Sequence, residues 1–231
     1  MNYFCSMKLS ILICSVYKRV AQRADLLLLL RNSIGKNTYL KQINENYLLE
    51  KYQGAEAEII LCTDHKKLTV GAKRNLLIDE ACGDYIVFVD DDDMVTVNYV
   101  QALLDKIATQ PDVIVFNALR YHNGQRDKPV IYGIEYSRDY STPKFHYRLP
   151  NHLMCVRKNI AAQVRFADIS FGEDADYARR LLPYLKHQER IFEMLYEYWF
   201  NTETTETQQP PPAPFPMKNR DETKGDFEGT L

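Results

Sequence analysis

Gly83-Asp84-Tyr85-Ile86-Val87-Phe88-Val89-Asp90-Asp91-Asp92-Asp93 decides how this chain folds. A Gly-Asp turn followed by a β-branched and aromatic run is the pattern of a short buried strand. Four carboxylates directly behind it then fall at the C-terminal rim of a sheet, where open α/β sheets bind ligands. Like charges ~5 Å apart repel by about 3 kcal/mol per pair at an effective dielectric of about 20. No Lys or Arg stands beside the run in sequence, so the cluster needs a counter-charge or must hold protons. A solvated acidic turn is the plain reading; a hard divalent cation is the natural partner if the carboxylates work together.

Three metal readings compete. A calcium EF-hand loop needs Gly at its sixth position and Glu at its twelfth, where this run has Val95 and Gln101. A haloacid-dehalogenase phosphatase wants Thr or Val two residues after its second aspartate, where Met94 stands, and uses the first strand of its domain. The Asp-x-Asp motif of a nucleotide-sugar transferase survives.

Outward from the acidic strand, the chain alternates strand and helix. Met1 to Met7 reads as a short leader, Lys8 to Cys14 as a strand running into Ser15-Val16-Tyr17-Lys18-Arg19, and Ala21 to Asn32 as a helix. Leu40 to Tyr52 reads as a second helix, Glu58 to Thr63 as a second strand ending in Asp64, and Lys73 to Ala81 as a third helix. That order implies parallel strands with right-handed crossovers. Beyond the acidic strand come a helix from Asn98 to Thr109 and a strand from Val113 to Phe116. Arg120 to Pro150 is aromatic and basic, and a loop of that length is functional or disordered; its aromatics argue for a binding surface. His152 to Val156 reads as a short strand, and Gly172, Glu173, Asp174 and Asp176 lead into a helix from Tyr177 to Leu185. Ile191 to Phe200 is a final strand, and Thr202 to Leu231, rich in Thr, Glu, Gln and Pro, reads as a disordered tail.

The 231 residues are 45% hydrophobic, enough for one sizeable core. A net charge of −2 with interspersed signs gives no basic field, which counts against nucleic acid as a partner. Five cysteines without a CxxC pair read as thiols of a reducing compartment. No stretch approaches the length of a membrane span, and no signal peptide is discernible.

Four pieces resemble a family. Ser15-Val16-Tyr17-Lys18-Arg19 is similar to a strand-end S-x-Y-N-R, with Lys18 in place of Asn. Gly71 to Asn75 and Ala81 to Ile86 resemble G-x-x-x-R-N followed by A-x-G-x-Y-I; Asp90 to Asp93 follow at the proper distance, and Glu173-Asp174 resembles a late acidic pair. Together, in order, they resemble the family 2 glycosyltransferases of the GT-A fold. The resemblance implies a Rossmann-like α/β domain over 8–201 with a mostly parallel central sheet flanked by helices. Residues 8–117 would be the nucleotide-sugar half and 118–201 the acceptor half, with a tail over 202–231.

The resemblance also implies roles. Ser15, Tyr17, Arg19, Asp64, Arg74, Asp90 and Asp91 would contact a nucleotide-diphospho-sugar donor, with Asp64 on the base and Arg74 on the diphosphate. Asp92, with Asp90, would hold Mn²⁺ or Mg²⁺ against the diphosphate. Asp174 would be the general base of an inverting transfer to the hydroxyl of a glycan or other acceptor, with Glu173 and His152 as acceptor-side candidates. Each residue also has a plainer role: Arg74 could pair with Asp79 or Glu80, Asp64 could serve a turn, Glu173 and Asp174 could cap a helix, and His152 could be a core histidine. Thr63-Asp64-His65-Lys66 departs from the family's D-D-G-S, so the base and sugar preference does not carry over. The expected setting is a cytoplasmic enzyme. The alternatives are a sugar-phosphate nucleotidyltransferase, disfavoured because Ser15 to Arg19 contains no glycine, and a catalytically inactive nucleotide-sugar binder or interaction protein.

Overall fold

The first half of the chain runs β1 (Leu9–Val16), α1 (Ala24–Ser33), β2 (Thr38–Ile43), β3 (Tyr47–Gln53), β4 (Ala57–Asp64), α2 (Val70–Glu80), β5 (Tyr85–Phe88), β6 (Met94–Val95) and α3 (Tyr99–Ile107). The second runs β7 (Val113–His122), β8 (Gln125–Arg126), β9 (Val130–Tyr132), β10 (Tyr140–Ser141), β11 (His146–Arg148), β12 (Cys155–Arg157), α4 (Lys158–Val164), α5 (Glu173–Leu181) and β13 (Gln188–Phe200). These elements come from a computed structural model that describes residues 7–200; most of the expected leader and the expected tail lie outside the described residues.

One 13-stranded sheet organises the described residues, in the order β10-β11-β9-β7-β12-β5-β1-β4-β3-β2, with β13 and β8 added on β7 and β6 on β13. β1 lies between β4 and β5, parallel to both. It is buried along nearly its whole length, as a strand covered on both faces must be. β12 runs antiparallel to both of its neighbours, β5 and β7, so β4, β1, β5 and β7 all point the same way. The parallel expectation therefore holds at the centre, while the β2-β3-β4 meander and the β7-β9 pair add antiparallel ladders that make the whole sheet mixed. The five helices flank it in two groups, α1 against α3, and α2 against α4, which also meets α5.

Leu40 to Tyr52, expected as a helix, is instead most of a β-hairpin. Leu49 and Tyr52 are its buried residues, and their spacing of three imitates a helical face. The turn is carried by Asn44, whose Oδ1 accepts from Asn46 N at 2.9 Å. Across the hairpin the rings of Tyr39 and Tyr52 pack 4.9 Å apart. The Arg120–Pro150 stretch is not one irregular loop: it holds most of the β7 tip and the short strands β8 to β11. Helix α4 was not anticipated, and α5 begins four residues earlier than expected, at Glu173.

Two glycines fix how α2 and α5 reach the sheet rim. Thr69 caps α2 by accepting from Ala72 N at 3.0 Å. A side chain at Gly71 would place its Cβ 1.8 Å from the Ala167 carbonyl oxygen, so only glycine lets α2 start against the 167–169 segment. Gly172 has φ +77°, the left-handed region where glycine is free of steric cost.

Candidate active site

The ladder carried by β5 continues one residue past its end, because Val89 N donates to Leu12 O at 3.0 Å. Asp90 to Asp93 thus leave the sheet as a tight turn, closed by Asp93 N on Asp90 O at 3.2 Å. The four aspartates meet different fates. Asp91 is buried and accepts from Ser15 Oγ at 2.5 Å and from Arg19 Nη1 at 2.7 Å. Asp93 is buried and accepts from Tyr196 Oη and Trp199 N, both at 2.7 Å. Asp90 and Asp92 line the cleft.

Their surroundings separate their titration. Burial alone would raise Asp90, but His152, with its Nε2 3.3 Å from Asp90 Oδ2, and then Arg74 and Arg19 outweigh it and hold the carboxyl well below the usual range. Burial and the adjacent Asp90 push Asp92 up to about 6, against the pull of Arg19 3.1 Å away. Burial, with Asp90 and Asp92 beside it, pushes Asp93 well up. The cations missing from the local sequence thus arrive through the fold, Arg19 from the turn after β1 and Arg74 from α2.

Arg74 is the hinge of the site. Its guanidinium lies 5.6 Å from the Phe88 ring centroid and 5.2 Å from that of Phe166. It stands 3.4 Å from Asp90 on one side and 3.4 Å from Glu173 on the other; Arg74 Nε has no hydrogen-bond partner among the described residues. Pairing with Asp79 or Glu80 is not seen: Asp79 is bound by Arg165 and Glu80 by Lys51. Burial raises the Glu173 carboxyl, partly offset by Arg74. Asp174 follows on the cleft wall, its Oδ1 accepting from Ala175 N at 2.8 Å. The N-cap of α5 is Gly172, so neither acidic side chain is used as the cap.

Ser15, Arg19, Arg74, Asp90, Asp91, Asp92, His152, Glu173 and Asp174 all line one open cleft of about 720 Å³. Two expected residues do not line it. Asp64 is fully buried behind the wall, its Oδ1 held by Lys73 Nζ at 2.7 Å and its Oδ2 by Leu68 N at 2.8 Å. A nucleobase contact is closed to it in this arrangement, because a β-strand end packed against α2 turns the carboxylate inward. Tyr17 stacks on His65, with centroids 4.2 Å apart. The cleft also takes Lys73, Arg120, Tyr132, Arg148 and Tyr198, which sequence reasoning left unassigned; the aromatic and basic character of the 120–150 stretch was the signal for Arg120, Tyr132 and Arg148.

Among the described residues no group of three or more His, Cys, Asp or Glu side chains is arranged to hold a metal ion unaided. Asp90 and Asp92 still offer oxygen donors on the open side, where burial first and then Asp90 disfavour a lone charge on Asp92. One or two carboxylates completed by phosphate oxygens and water is an ordinary setting for Mg²⁺, so these residues fit such an ion.

The profile of glycosyl transferase family 2 matches residues 39–169, more than half of the chain. The chain belongs to glycosyl transferase family 2. The matched span holds the acidic turn and Arg74, whereas Ser15, Arg19, Glu173 and Asp174 lie outside it. Among solved structures, S. aureus TarS residues 1–349 in complex with UDP-GlcNAc aligns with a TM-score of 0.59 at 14% identity, over 87% of this family 2 chain and 60% of that one. The same TarS fragment in complex with UDP gives 0.57 at 14% identity, over 84% and 61%. At that identity the likeness shows the fold, and the chain spans about 60% of the TarS fragment. No curated protein matches by sequence. Among the described residues no helix is long and apolar enough to cross a membrane.

Proposed function

We propose that this family 2 chain moves a sugar from a nucleotide-diphospho-sugar to an acceptor hydroxyl, with a divalent cation and with inversion at the anomeric carbon. The observation that carries the reading is one cleft lined by Asp90, Asp92 and Asp174, with Arg74 3.4 Å from Asp90 and 3.4 Å from Glu173, the neighbour of Asp174. A UDP-sugar is the first donor class to test, because the TarS structures carry UDP-GlcNAc or UDP.

Asp90 and Asp92 would hold Mn²⁺ or Mg²⁺, which would neutralise the leaving diphosphate and make it easier to expel. Arg74, desolvated and planar, suits diphosphate oxygens, while Glu173, 3.4 Å from its Nη1, balances its charge. Ser15 and Arg19 act through Asp91, fixing the turn from which Asp90 and Asp92 project. Asp174 takes the proton from the acceptor hydroxyl as that oxygen attacks the anomeric carbon opposite the leaving diphosphate. One positioned base and one displacement give inversion.

Thermal-shift measurements with UDP-, GDP-, dTDP- and CMP-sugars, with and without Mn²⁺, test the reading, since a ligand that binds the native state raises its stability. A Mn²⁺-dependent rise with at least one nucleotide sugar is expected, together with slow donor hydrolysis. No rise with any of them removes the transferase reading.

A further inference from the structure

Between β8 and β11 the chain assembles a second set of reactive groups, which the sugar transfer does not use. Asp127 follows β8, Ser141 ends β10 and His146 opens β11. β10 and β11 form a hairpin with Ser141 opposite His146. Its turn is closed by Thr142 N on Phe145 O at 2.9 Å and by Phe145 N on Thr142 Oγ1 at 3.1 Å. Directly opposed side chains share a face, so the hydroxyl and the imidazole meet: Ser141 Oγ lies 2.7 Å from His146 Nδ1. On the other side of the ring, His146 Nε2 lies 3.3 Å from Asp127 Oδ2. Arg120 Nη1 reaches the same carboxylate oxygen from β7 at 3.4 Å.

Hydroxyl, imidazole and carboxylate in a row are the arrangement of an activated nucleophile: a base within hydrogen-bond reach of the attacking oxygen, itself oriented by a third group. The Lys128 amide first, and after it the His146 ring and Arg120, hold the Asp127 carboxyl below its usual range against the opposing effect of burial. The ionised carboxylate accepts the Nε2–H, which leaves Nδ1 to accept from the Ser141 hydroxyl. The ring is turned end for end relative to the serine-protease triad, whose base meets the hydroxyl through Nε2. The role of each nitrogen follows the tautomer, so the proton path is unchanged. Access is divided as such a centre needs. Ser141 is exposed, whereas His146 is only 8% exposed and lines the cleft. Lys128 Nζ donates to Thr142 O at 3.0 Å, fixing a charge of the sign that stabilises an oxyanion one residue along from Ser141. The hairpin is already closed by its backbone and by Thr142, so the Ser141–His146 bond is not needed to hold it.

We propose that Ser141, His146 and Asp127 form a second catalytic centre, a nucleophilic serine site that hydrolyses a carboxylic ester. Ser141 Oγ adds to the carbonyl carbon while His146 Nδ1 takes its proton; the bond from that carbon to the alcohol oxygen then breaks, and His146 returns the proton to the departing alcohol, leaving the acyl group on Ser141. Water adds to the acyl carbon in the same way, its proton passing through His146 to Ser141 Oγ as the acid leaves, so ester and water become acid and alcohol. The full chain is treated with a fluorophosphonate probe and the adduct located by peptide mass spectrometry, while hydrolysis of p-nitrophenyl acetate is followed in parallel. An adduct on Ser141 is expected, with turnover that Ser141→Ala and His146→Ala lower by ~10². Ser141→Ala removes only an exposed hydroxyl, so it keeps the test independent of folding. Asp127 acts through His146 as a positioning residue: Asp127→Asn should slow labelling of Ser141 about tenfold, and Asp127→Glu should restore part of the rate at an unchanged melting temperature. Undiminished hydrolysis in Ser141→Ala, an adduct on another residue or none, or labelling rates that merely follow melting temperature across the variants overturns the centre and leaves the three residues as a tether. None of these outcomes depends on nucleotide-sugar binding, so the inference stands or falls apart from the transferase reading.

Discussion

The acidic turn after β5 and the acidic start of α5 line one cleft and share Arg74, yet they hold their charge by different means. In the turn, half of the carboxylates are spent on structure: Asp91 on Ser15 and Arg19, Asp93 on Tyr196 and the Trp199 amide. That outlay fixes Asp90 and Asp92 on the open side. At α5, glycine supplies the cap, and the positive end of the helix favours nearby acids by about 0.3–1 kcal/mol. Glu173 needs only Arg74, and Asp174 is left facing the cleft. Concentrated charge requires dedicated partners; two carboxylates at a helix start do not. The first arrangement suits holding a cation, the second suits moving a proton.

The sharpest way to break this contrast is Asp174→Asn. If α5 supplies the base, the variant should keep Mn²⁺-dependent nucleotide binding and lose transfer by ~10² to 10⁴. The product of the wild type, followed by NMR, should carry the anomeric configuration opposite to the donor. Retention, or a binding defect as large as the rate defect, would assign Asp174 to the helix start and not to the reaction.

Within the turn, removing a carboxylate should act differently at neighbouring positions. Asp93→Ala strands the Tyr196 hydroxyl and Trp199 amide and should cost about 1–3 kcal/mol in urea unfolding. Asp92→Asn removes a carboxylate that burial and Asp90 already disfavour. It should leave the metal-free protein as stable or slightly more stable, and abolish the Mn²⁺-dependent part of nucleotide binding. Equal losses of stability in both variants would erase the distinction between structural and open aspartates.

How much of this was legible follows from range. The β1, β4 and β5 strands and the α2 helix were readable because consecutive β-branched and apolar residues between turn signals carry the pattern locally. The acidic run and Glu173-Asp174 were visible as clusters. Arg19 on Asp91 was not, because the partners are 72 residues apart and only the β1–β5 pairing brings them together. Asp93 was indistinguishable from its three neighbours until β13 delivered Tyr196. The β2–β3 hairpin was hidden by the accidental three-residue spacing of Leu49 and Tyr52. Asp64 carried a motif position, yet Lys73, nine residues on, turned it into a buried ion pair.

A carboxylate outside the cleft supplies the baseline for both clusters. Asp112 accepts from the backbone amides of Lys186 and His187 at 2.8 and 2.9 Å. Burial opposes its charge, but those two amides and the nearby His187 and Arg157 lower its pKa overall. A depressed folded pKa means the ionised form is favoured in the native state, so its stabilisation is present above the unfolded carboxylate value near 3.8. It is lost as pH falls through the lowered folded value. Asp112→Asn should therefore cost about 1 kcal/mol or less at pH 7, and the gap from wild type should close as unfolding is repeated at descending pH below 4. Because Asp112 has amide donors and no acidic neighbour in its turn, it should show none of the relief expected of Asp92→Asn. A gain in stability at neutral pH for both variants would trace the Asp92 effect to loss of negative charge anywhere on the protein, and not to crowding within the turn.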